Sequence, residues 1–254
     1  MTRVIMHGCC GAMGRTITGL AREMEELTIV AGIDLRQDES LGYPVFPSLE
    51  ACTVEADVVV DFASAKAVDG LLDYCGAHRM PVVLCTTGLS PEQLKKVEEV
   101  SRQTAVLRSA NMSLGINTLM KLLQDAAKVL AGAGFDVEIV EKHHNKKVDA
   151  PSGTALALAD AVNEAMNEQY HYRYDRSTER VKRDPKEIGI SAVRGGTIVG
   201  EHEVIFAGPD EVVTFSHTAY SKAVFGKGAL EAALFLAGKE PGLYGMADVI
   251  AAAS

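Results

Sequence analysis

The stretch Gly8-Cys9-Cys10-Gly11-Ala12-Met13-Gly14 decides the fold of the N-terminal part of the chain. It lies between a predicted strand, residues 3–7, and a predicted helix whose apolar residues recur at helical spacing from Ile17 to Met24. Glycines permit a tight turn and let the backbone approach a pyrophosphate, which then sits on the N–H groups at the helix start. The spacing is GxxGxxG instead of the more familiar GxGxxG, so the interpretation depends on the strand before the loop and the helix after it.

An acidic residue, Asp34, closes the next predicted strand, residues 27–34, twenty residues after Gly14. In dinucleotide-binding units an acid at this place accepts hydrogen bonds from the adenosine ribose. Strand, loop, helix, strand and acid in this order predict that the chain binds a dinucleotide. The alternative is that the loop is an ordinary glycine-rich turn and that Asp34 merely faces solvent. In that case the order of strand, loop, helix, strand and acid would be a coincidence.

Strands and helices continue to alternate up to about residue 113. Ser90-Pro91-Glu92-Gln93 is typical of a helix start, with Ser90 as N-cap and Gln93 completing a capping box, and we expect this helix to end near Gln103. Such alternation predicts an α/β fold with a Rossmann-type, doubly wound parallel sheet, in which ligands bind at the carboxyl ends of the strands. The remaining predicted strands are residues 57–62, 81–88 and 104–109, and the other helix is residues 65–78.

The pattern changes after residue 113 and predicts a second, α+β domain with a mixed or antiparallel sheet. Three strands in residues 187–220 are joined by a Gly-Gly turn and a Gly-Pro-Asp-Glu turn, which favour an antiparallel meander. The polar stretch 168–186 is predicted to be a long loop or lid. The other predicted elements are helices at 115–132, 154–166 and 222–237 and a strand at 135–143.

Composition excludes several classes of protein. The 254 residues are 47% hydrophobic and 23% charged, which is ordinary for a chain with a buried core, and the net charge is −9. This acidity argues against nucleic acid or an anionic membrane as a partner. The chain has no apolar run long enough to span a membrane, and a strand begins right after Met1, so we expect neither a signal peptide nor a membrane anchor and predict a cytoplasmic protein.

The cysteines indicate no metal site. They are odd in number, contain no CxxC pair, and include the adjacent Cys9 and Cys10, which we do not expect to chelate one metal together. We predict small buried thiols, as expected in a reducing compartment.

Residues 141–154, EKHHNKKVDAPSGT, form the most informative segment of the second domain. Three lysines and two histidines within residues 142–147 make a positive island in an acidic chain, which favours an anionic ligand. The helix that follows would point the amides of Ser152, Gly153 and Thr154 at the same anion. Histidine can exchange a proton near neutral pH, so the island also suits acid–base chemistry. The alternatives are a solvated basic loop with a helix cap, or a metal site, for which no third ligand is evident nearby.

The run HHNKKVDAPSGTA closely resembles the 4-hydroxy-tetrahydrodipicolinate reductase (dihydrodipicolinate reductase) family. The resemblance extends over nearly the whole chain, through VIMHGCCGAMG, VDF, TTG, SANMSLGIN, VRGGTIVGEHEV and GALEAALFLAGKEPGLYGM. It implies NAD(P)H-dependent reduction of the cyclic imine dicarboxylate 4-hydroxy-tetrahydrodipicolinate to tetrahydrodipicolinate, in lysine and diaminopimelate biosynthesis. Hydride would leave C4 of the nicotinamide, and cationic groups nearby would stabilise the growing negative charge and deliver a proton.

The resemblance also implies roles for particular residues. His143 and Lys147 would be the catalytic pair, with Lys147 as the proton donor, and the substrate carboxylates would be held by His144, Ser152, Gly153 and Thr154. No metal is implied. The residues that would line the cofactor are Gly8, Cys9, Cys10, Gly11, Ala12, Met13, Asp34, Cys85, Thr86, Thr87, Ser109, Ala110, Asn111 and Met112.

Three positions depart from the family pattern and bear on the cofactor. Ala12 and Leu35 stand where many members carry a cation that would meet the 2′-phosphate of NADPH, and Asp34 would repel that phosphate. Arg36 could substitute for the missing cation, so we predict that NADH is preferred and that NADPH is also accepted. Cys85 replaces the usual Gly before Thr86, which would narrow the nicotinamide side or pack into the core.

The resemblance places the apolar helix at 222–237 back on the first domain. The predicted domains are therefore residues 1–113 plus 222–254, which bind the dinucleotide, and residues 114–221, which bind the substrate and mediate oligomerisation. It further implies a homotetramer. Two other functions compete: another Rossmann reductase of an amino-acid-like anion, such as an aspartate or homoserine dehydrogenase, and a catalytically silent dinucleotide sensor. Neither needs His143 and Lys147 beside a helix start.

Overall fold

The structure is a computed structural model that describes residues 1–109, 111–177 and 180–253. The chain divides into two compact units. The first comprises Met1–Leu114 together with the residues from Ala223 onward, and the second is Gly115–Lys222. Among the described helices, none combines the length and the apolar character that crossing a bilayer requires.

The first unit contains a seven-stranded sheet in the order β3-β2-β1-β4-β5-β6-β12. Every pairing in it is parallel. The order 3-2-1-4-5-6 is that of the dinucleotide-binding Rossmann fold, so the predicted fold class is confirmed. The strands are β1 Thr2–His7, β2 Leu27–Ile33, β3 Val45–Phe46, β4 Val58–Asp61, β5 Val82–Leu84, β6 Ala105–Arg108 and β12 Gly242–Tyr244.

Helices cover both faces of this sheet because its central strands are apolar on both sides. On one face Val58 and Val60 of β4 belong to the same core as helices α1 and α6, whereas Val59 faces the core shared with α2 and α3. The helices are α1 Ala12–Ala21, α2 Val68–His78, α3 Pro91–Ser101, α6 Ala223–Leu236 and α7 Met246–Ala252, with 3-10 turns at Glu39–Leu41 and Ala65–Ala67.

Local signals located α3 well but missed short elements. The capping box is confirmed, since Ser90 Oγ accepts from the Gln93 N–H at 3.2 Å and Gln93 Oε1 accepts from the Ser90 N–H at 3.1 Å. The helix ends at Ser101, earlier than the predicted Gln103. The residues after the predicted helix 222–237, for which no element was predicted, form β12 and α7.

The second unit contains a mixed five-stranded sheet in the order β11-β10-β7-β9-β8. Its apolar face packs on helices α4 and α5 through residues such as Ile139, Leu123 and Leu158. The elements are α4 Leu114–Leu130, β7 Asp136–His143, α5 Gly153–Ala165, β8 His171–Arg173, β9 Glu187–Arg194, β10 Gly200–Ala207 and β11 Val212–Ala219.

The predicted three-stranded meander is wrong, because β7 lies between β9 and β10. Strand β9 pairs with β7 in parallel, and β10 pairs with β7 on its other side. Only β10 and β11 form the expected antiparallel hairpin. A two-residue turn joins neighbouring strands about 5 Å apart, whereas residues 195–199 are long enough to pass the end of β7 and span about twice that distance.

Most described residues of the stretch 168–186 are loop, as predicted, but His171–Arg173 form strand β8 and Arg183 anchors the stretch to the sheet. Strand β8 pairs in parallel with β9. Arg183 donates to Glu138 Oε1 at 2.9 Å and to the Glu187 carbonyl oxygen at 2.6 Å. The charges that made this stretch resemble a loop are thus partners of charges on the sheet.

Candidate active site

In the first unit, the glycine-rich loop connects β1 to α1 at the carboxyl edge of the sheet. Gly8 has a φ of +81°, and its N–H donates to the Ile33 carbonyl oxygen at 2.8 Å. A Cβ on Gly14 would lie 2.4 Å from the Gly8 carbonyl oxygen, so α1 packs directly on the loop backbone. Only glycine permits that approach, which brings the helix N-terminus to the place where an anion would bind.

Asp34 follows β2 and holds the loop. Its Oδ2 accepts from the Cys10 N–H at 3.0 Å, and its Oδ1 accepts from the Arg36 N–H at 3.1 Å. The Arg36 guanidinium donates to the Cys10 carbonyl oxygen at 3.0 Å and lies 3.6 Å from Asp34 Oδ1. A cavity of about 610 Å³ opens beside these groups, lined among others by Gly11, Leu35 and Ala63. Its size is in the range of small-molecule and cofactor sites.

The cysteines of the predicted cofactor set are buried thiols. Burial raises the pKa of Cys9 to about 12 and raises the pKa of Cys85 well above its ordinary value. Cys9 Sγ and Cys10 Sγ lie 3.9 Å apart, with a carboxylate oxygen of Asp34 within 4.8 Å of them, so the two thiols converge although adjacency argued against it. The raised pKa of Cys9 and the Arg36 guanidinium disfavour a cation there. That the protein uses no metal stays a prediction.

The remaining predicted cofactor residues lie at the start of α1 or follow β5 and β6. Ala12 is exposed at the helix start, Met13 is half-buried, Thr87 is exposed and Met112 is buried. The buried Thr86 Oγ1 has no hydrogen-bond partner among the residues that the structure describes. Ser109 Oγ donates to the Asn111 carbonyl oxygen at 2.8 Å, and Ala110 lies outside the described residues.

A buried pair beside the glycine-rich loop was not predicted from the sequence. His7 and Asp61 end the neighbouring strands β1 and β4 at the same level, and His7 Nδ1 lies 2.7 Å from Asp61 Oδ1. Asp61 is 0% exposed, and its Oδ1 also accepts from the Ala63 N–H at 3.1 Å. The pair fixes the edge on which the glycine-rich loop rests. Asp61, an acidic residue at the end of an otherwise apolar strand, is the feature of the sequence that could have revealed this pair.

In the second unit, His143 ends β7 and is held by a buried carboxylate. Its Nδ1 lies 2.6 Å from Glu141 Oε2, and Glu141 is 0% exposed. Arg194 donates to both oxygens of Glu141, at 2.7 Å each. Burial by itself would raise the pKa of the Glu141 carboxyl, but hydrogen bonds from Arg194, from His143 and from the Ser152 N–H outweigh it and lower that pKa. Glu141 is therefore a carboxylate at neutral pH.

Helix α5 begins beside this carboxylate. Ser152 is its N-cap, accepting from the Ala155 N–H at 3.1 Å, and its hydroxyl shares a 3.0 Å hydrogen bond with His202 Nε2. The Ser152 N–H donates to Glu141 Oε1 at 3.0 Å, so both polar groups of this residue already have partners inside the unit. Gly153 is exposed, and no acceptor for its N–H occurs among the described residues. Thr154, the next residue of the predicted substrate set, is half-buried.

The positive island is smaller than the sequence suggested. Lys142 points to the opposite face of β7 from His143, where it pairs with Glu201 at 3.2 Å and with Glu203 at 2.8 Å. Lys147 Nζ lies 2.8 Å from Asp149 Oδ2, and this hydrogen bond is the main reason why the pKa of Asp149 is lowered.

The two other members of the island keep open polar groups. Lys146 is exposed. His144 is half-buried, and its buried Nδ1 has no hydrogen-bond partner within the described ranges. A ligand could therefore contact the imidazole of His144 without breaking an existing hydrogen bond. The same holds for the Gly153 N–H at the start of α5.

His202 and Gly200 of β10 complete the surroundings of His143, and sequence reasoning gave neither a role. The two imidazoles meet edge to face, with ring centroids 5.1 Å apart. Burial, followed by the neighbouring His143, lowers the pKa of His202 to about 4, so His202 is neutral at physiological pH. A Cβ on Gly200 would lie 3.1 Å from His143 Nε2, so glycine keeps that nitrogen clear of a side chain.

Together these residues form a compact group that can bind an anion and transfer a proton. An imidazole held by a carboxylate, an ammonium group and the open N–H at a helix start all carry positive or partial positive charge. Of the residues that the sequence singled out, the structure brings His143 and Ser152 together on Glu141, and Lys147 lies in the loop between them, paired with Asp149. It adds Glu141, Arg194 and His202.

Comparison with protein families gives full-length matches. A model described as "Dihydrodipicolinate reductase, N-terminus" matches residues 2–112, and one described as "Dihydrodipicolinate reductase, C-terminus" matches residues 115–250. Together the two models account for nearly the whole chain.

Curated relatives agree with these matches. A protein from Caldanaerobacter subterraneus subsp. tengcongensis is 55% identical over 250 residues, which cover 98% of this chain and 98% of that protein. A protein from Clostridium novyi is 51% identical, again with 98% of each chain covered. Both are named 4-hydroxy-tetrahydrodipicolinate reductase.

Solved structures extend the likeness to the fold. A dipicolinate-bound dihydrodipicolinate reductase from Paenisporosarcina sp. TG-14 superposes with a TM-score of 0.81 at 25% identity, covering 98% of this chain and 99% of that one. GenD2, from gentamicin A biosynthesis and solved in complex with NAD, has a TM-score of 0.56 at 14% identity over 85% of this chain and 72% of its own, and shows a shared fold alone.

Proposed function

This chain belongs to the dihydrodipicolinate reductase family and is an oxidoreductase, and we propose that it reduces 4-hydroxy-tetrahydrodipicolinate with hydride from a nicotinamide dinucleotide. The observation that carries the proposal is that Glu141 holds both His143 and the start of α5, with Lys147 in the loop that joins them. A dicarboxylate needs two anion-binding groups, and an imine that receives hydride needs a proton. This group can supply both.

The first unit has the features that a dinucleotide requires. Gly14 packs closely on Gly8, and the backbone of the glycine-rich loop lines the cavity described above. The partly exposed Asp34 carboxylate lines the same cavity. The pyrophosphate would rest on the loop and the start of α1, and Asp34 would accept from the adenosine ribose. The bound dinucleotide supplies the hydride. Thr86, Ser109, Asn111 and Met112, which follow β5 and β6 on the same edge of the sheet, are proposed to contact it as well.

The second unit is proposed to bind the dicarboxylate. The Gly153 N–H, the Thr154 N–H and His144 would hold the carboxylates, because a helix N-terminus and an unpartnered imidazole nitrogen both favour an anion. Ser152 is proposed to act mainly by capping α5, since its N–H and hydroxyl already have partners.

Lys147 is proposed to donate the proton, assisted by His143. The Lys147 ammonium group has Asp149 as its partner in this structure and would leave it for the substrate. Asp149 is 53% exposed in its side chain, so water can replace the lost hydrogen bond at little cost. General acid catalysis of this kind is typically worth about 10²–10⁴ in rate.

A coupled assay tests this proposal. A synthase makes the substrate from pyruvate and aspartate semialdehyde, and loss of reduced nicotinamide is followed. We expect turnover that depends on the synthase. Equal turnover with aspartate semialdehyde alone would instead identify one of the competing Rossmann reductases, and dinucleotide binding without any turnover would fit a silent sensor.

We predict that NADH is used at least as well as NADPH. Asp34 faces the ribose position, Leu35 is 93% exposed and offers no charge, and the neighbouring cation of Arg36 is shared between Asp34 and the Cys10 carbonyl oxygen. The measurement is kcat/KM with each dinucleotide. A hundredfold preference for NADPH would contradict the prediction, and Arg36→Ala would then show whether Arg36 binds the 2′-phosphate.

We also propose a cytoplasmic homotetramer built through the second units. Strand β11 is the edge of the mixed sheet, with alternating exposed positions that include Val212 at 62% exposure, and exposed edge strands usually need a cover. Light scattering at working concentration is expected to give the mass of four chains. A stable monomer would rule this out.

A further inference from the structure

The Glu141 carboxylate joins three separate parts of the second unit. It lies on β7, is fully buried, and accepts hydrogen bonds from its own strand through His143, from β9 through Arg194 and from the start of α5 through Ser152. A buried charge is costly unless it is fully paired, and this one has four donors. Such an arrangement holds all its members at fixed distances from each other.

Each oxygen of Glu141 takes two donors. Oε2 accepts from His143 Nδ1 at 2.6 Å and from Arg194 Nη1 at 2.7 Å. Oε1 accepts from Arg194 Nη2 at 2.7 Å and from the Ser152 N–H at 3.0 Å. If glutamine replaced Glu141, its NH₂ group would occupy one of the two oxygen positions, whichever way the amide is turned. It would then face two hydrogen-bond donors and could accept from neither. The site therefore requires a carboxylate, not merely a side chain of this shape.

The hydrogen bond to Glu141 decides which nitrogen of His143 remains for chemistry. With Nδ1 donating to the carboxylate, Nε2 is the free nitrogen, and it faces the position where Gly200 carries no side chain. The charged and titratable groups that the described contacts place around this imidazole are Glu141 on its own strand, Arg194 on β9, which shares Glu141 with it, and His202 on β10; Lys147 lies in the following loop.

Arg194 extends the same arrangement to the loop between β7 and α5. Besides Glu141, it donates to the Asp149 carbonyl oxygen at 2.6 Å, and the next residue, Gly195, donates its N–H to the His143 carbonyl oxygen at 2.9 Å. The loop that carries Lys147 is therefore held at its beginning by His143 and near its end by Arg194 and Ser152.

We propose that Glu141, together with Arg194, is a positioning residue that fixes the orientation and tautomer of His143 and, at the same time, the first amides of α5. This inference rests on the proposed function for its catalytic consequence, but its structural part stands without it. Displacing reacting groups by about 1 Å can cost about 100-fold in rate, so the effect on turnover should be large although Glu141 touches no substrate.

The test compares Glu141→Gln with the wild-type enzyme in three measurements. We expect kcat to fall by about 10- to 100-fold, as when a residue that orients a catalytic ligand is lost. Dipicolinate affinity, measured by calorimetry, should fall about tenfold because the Ser152 and Gly153 amides shift. Imidazole ¹⁵N spectra should show His143 protonated at Nδ1 in the wild type and changed in the variant.

Glu187→Gln is the matched control. Glu187 is 2% exposed and pairs with Arg173 and Arg176 at the other end of β9, so its loss removes a buried ion pair without touching His143. It should lower the melting temperature while leaving kcat, dipicolinate affinity and the His143 signal unchanged. If Glu141→Gln does not fold, Arg194→Lys is measured instead, because one ammonium group cannot replace the two-pronged hydrogen bond.

The outcomes separate this inference from the proposed function. An unchanged His143 signal together with unchanged dipicolinate affinity in Glu141→Gln overturns the positioning role, whatever the enzyme turns over. A wild type without reductase activity, in which Glu141→Gln still changes the His143 tautomer, refutes the proposed function alone.

Discussion

Lys147→Ala is expected to lower kcat by about two orders of magnitude or more, the scale of general acid catalysis. If Lys147 only attracted the dicarboxylate, the variant would raise KM and leave kcat nearly unchanged. Dinucleotide affinity should stay at the wild-type value, because the glycine-rich loop belongs to the other unit. Steady-state kinetics and dinucleotide titration measure these quantities.

Lys146→Ala is the matched control for Lys147. It removes the neighbouring positive charge, but Lys146 is exposed and has no ion pair at the site within the described part of the chain. We expect a small rise in KM and an almost unchanged kcat. An equal loss of kcat in both variants would mean that the positive island acts only through its total charge, and the role given to Lys147 would be wrong.

Gly14→Ala is expected to weaken dinucleotide binding by about 10- to 100-fold, as for the loss of one hydrogen bond to a charged group. The new Cβ would lie 2.4 Å from the Gly8 carbonyl oxygen and 2.6 Å from Cys9 Cα. Both are backbone atoms, so the glycine-rich loop and α1 must move apart. The backbone N–H groups of the loop and of the helix start would then no longer point at the pyrophosphate. Fluorescence titration with NADH measures the change.

Gly19→Ala is the control on the same helix, since a Cβ there meets nothing within 4 Å. Alanine favours a helix interior over glycine by about 1 kcal/mol, so this variant should bind NADH normally and be slightly more stable. Dipicolinate affinity should be unchanged in both variants. Wild-type NADH affinity in Gly14→Ala would show that the loop does not bind the pyrophosphate.

The fold was predictable where neighbours in sequence decide it. Glycine spacing, helical periodicity and the capping box at Ser90 are local, and they gave the α/β class and the position of α3. Strand order in the second unit was not predictable in this way. Nothing within residues 187–207 reveals that β7 separates β9 from β10, because that pairing depends on a strand more than forty residues earlier in the chain.

The same distinction, between residues that are close in sequence and residues that are distant, applies to the candidate site. His143, Lys147, Ser152 and Gly153 lie within one short run, so the sequence could single them out. Their supporting partners come from elsewhere: Arg194 is 53 positions from Glu141, and His202 is 50 positions from Ser152.

Strand periodicity is a signal in the sequence that sorts the charges of the positive island. Alternation along β7 places Glu141 and His143 on one face of the strand and Lys142 on the other. Counting Lys142 with the other cations, without regard to this alternation, is why the positive island was predicted to be larger than it is.

The central claim is that this chain transfers hydride from a nicotinamide dinucleotide to the dicarboxylate substrate. It is tested most directly with NADH deuterated at C4, in both stereochemical forms, and freshly made 4-hydroxy-tetrahydrodipicolinate. The product is expected to gain one deuterium from one of the two forms, and Lys147→Ala is expected to slow this transfer. Dinucleotide consumption that leaves the product unlabelled with both forms, or that proceeds equally without the substrate, would contradict it.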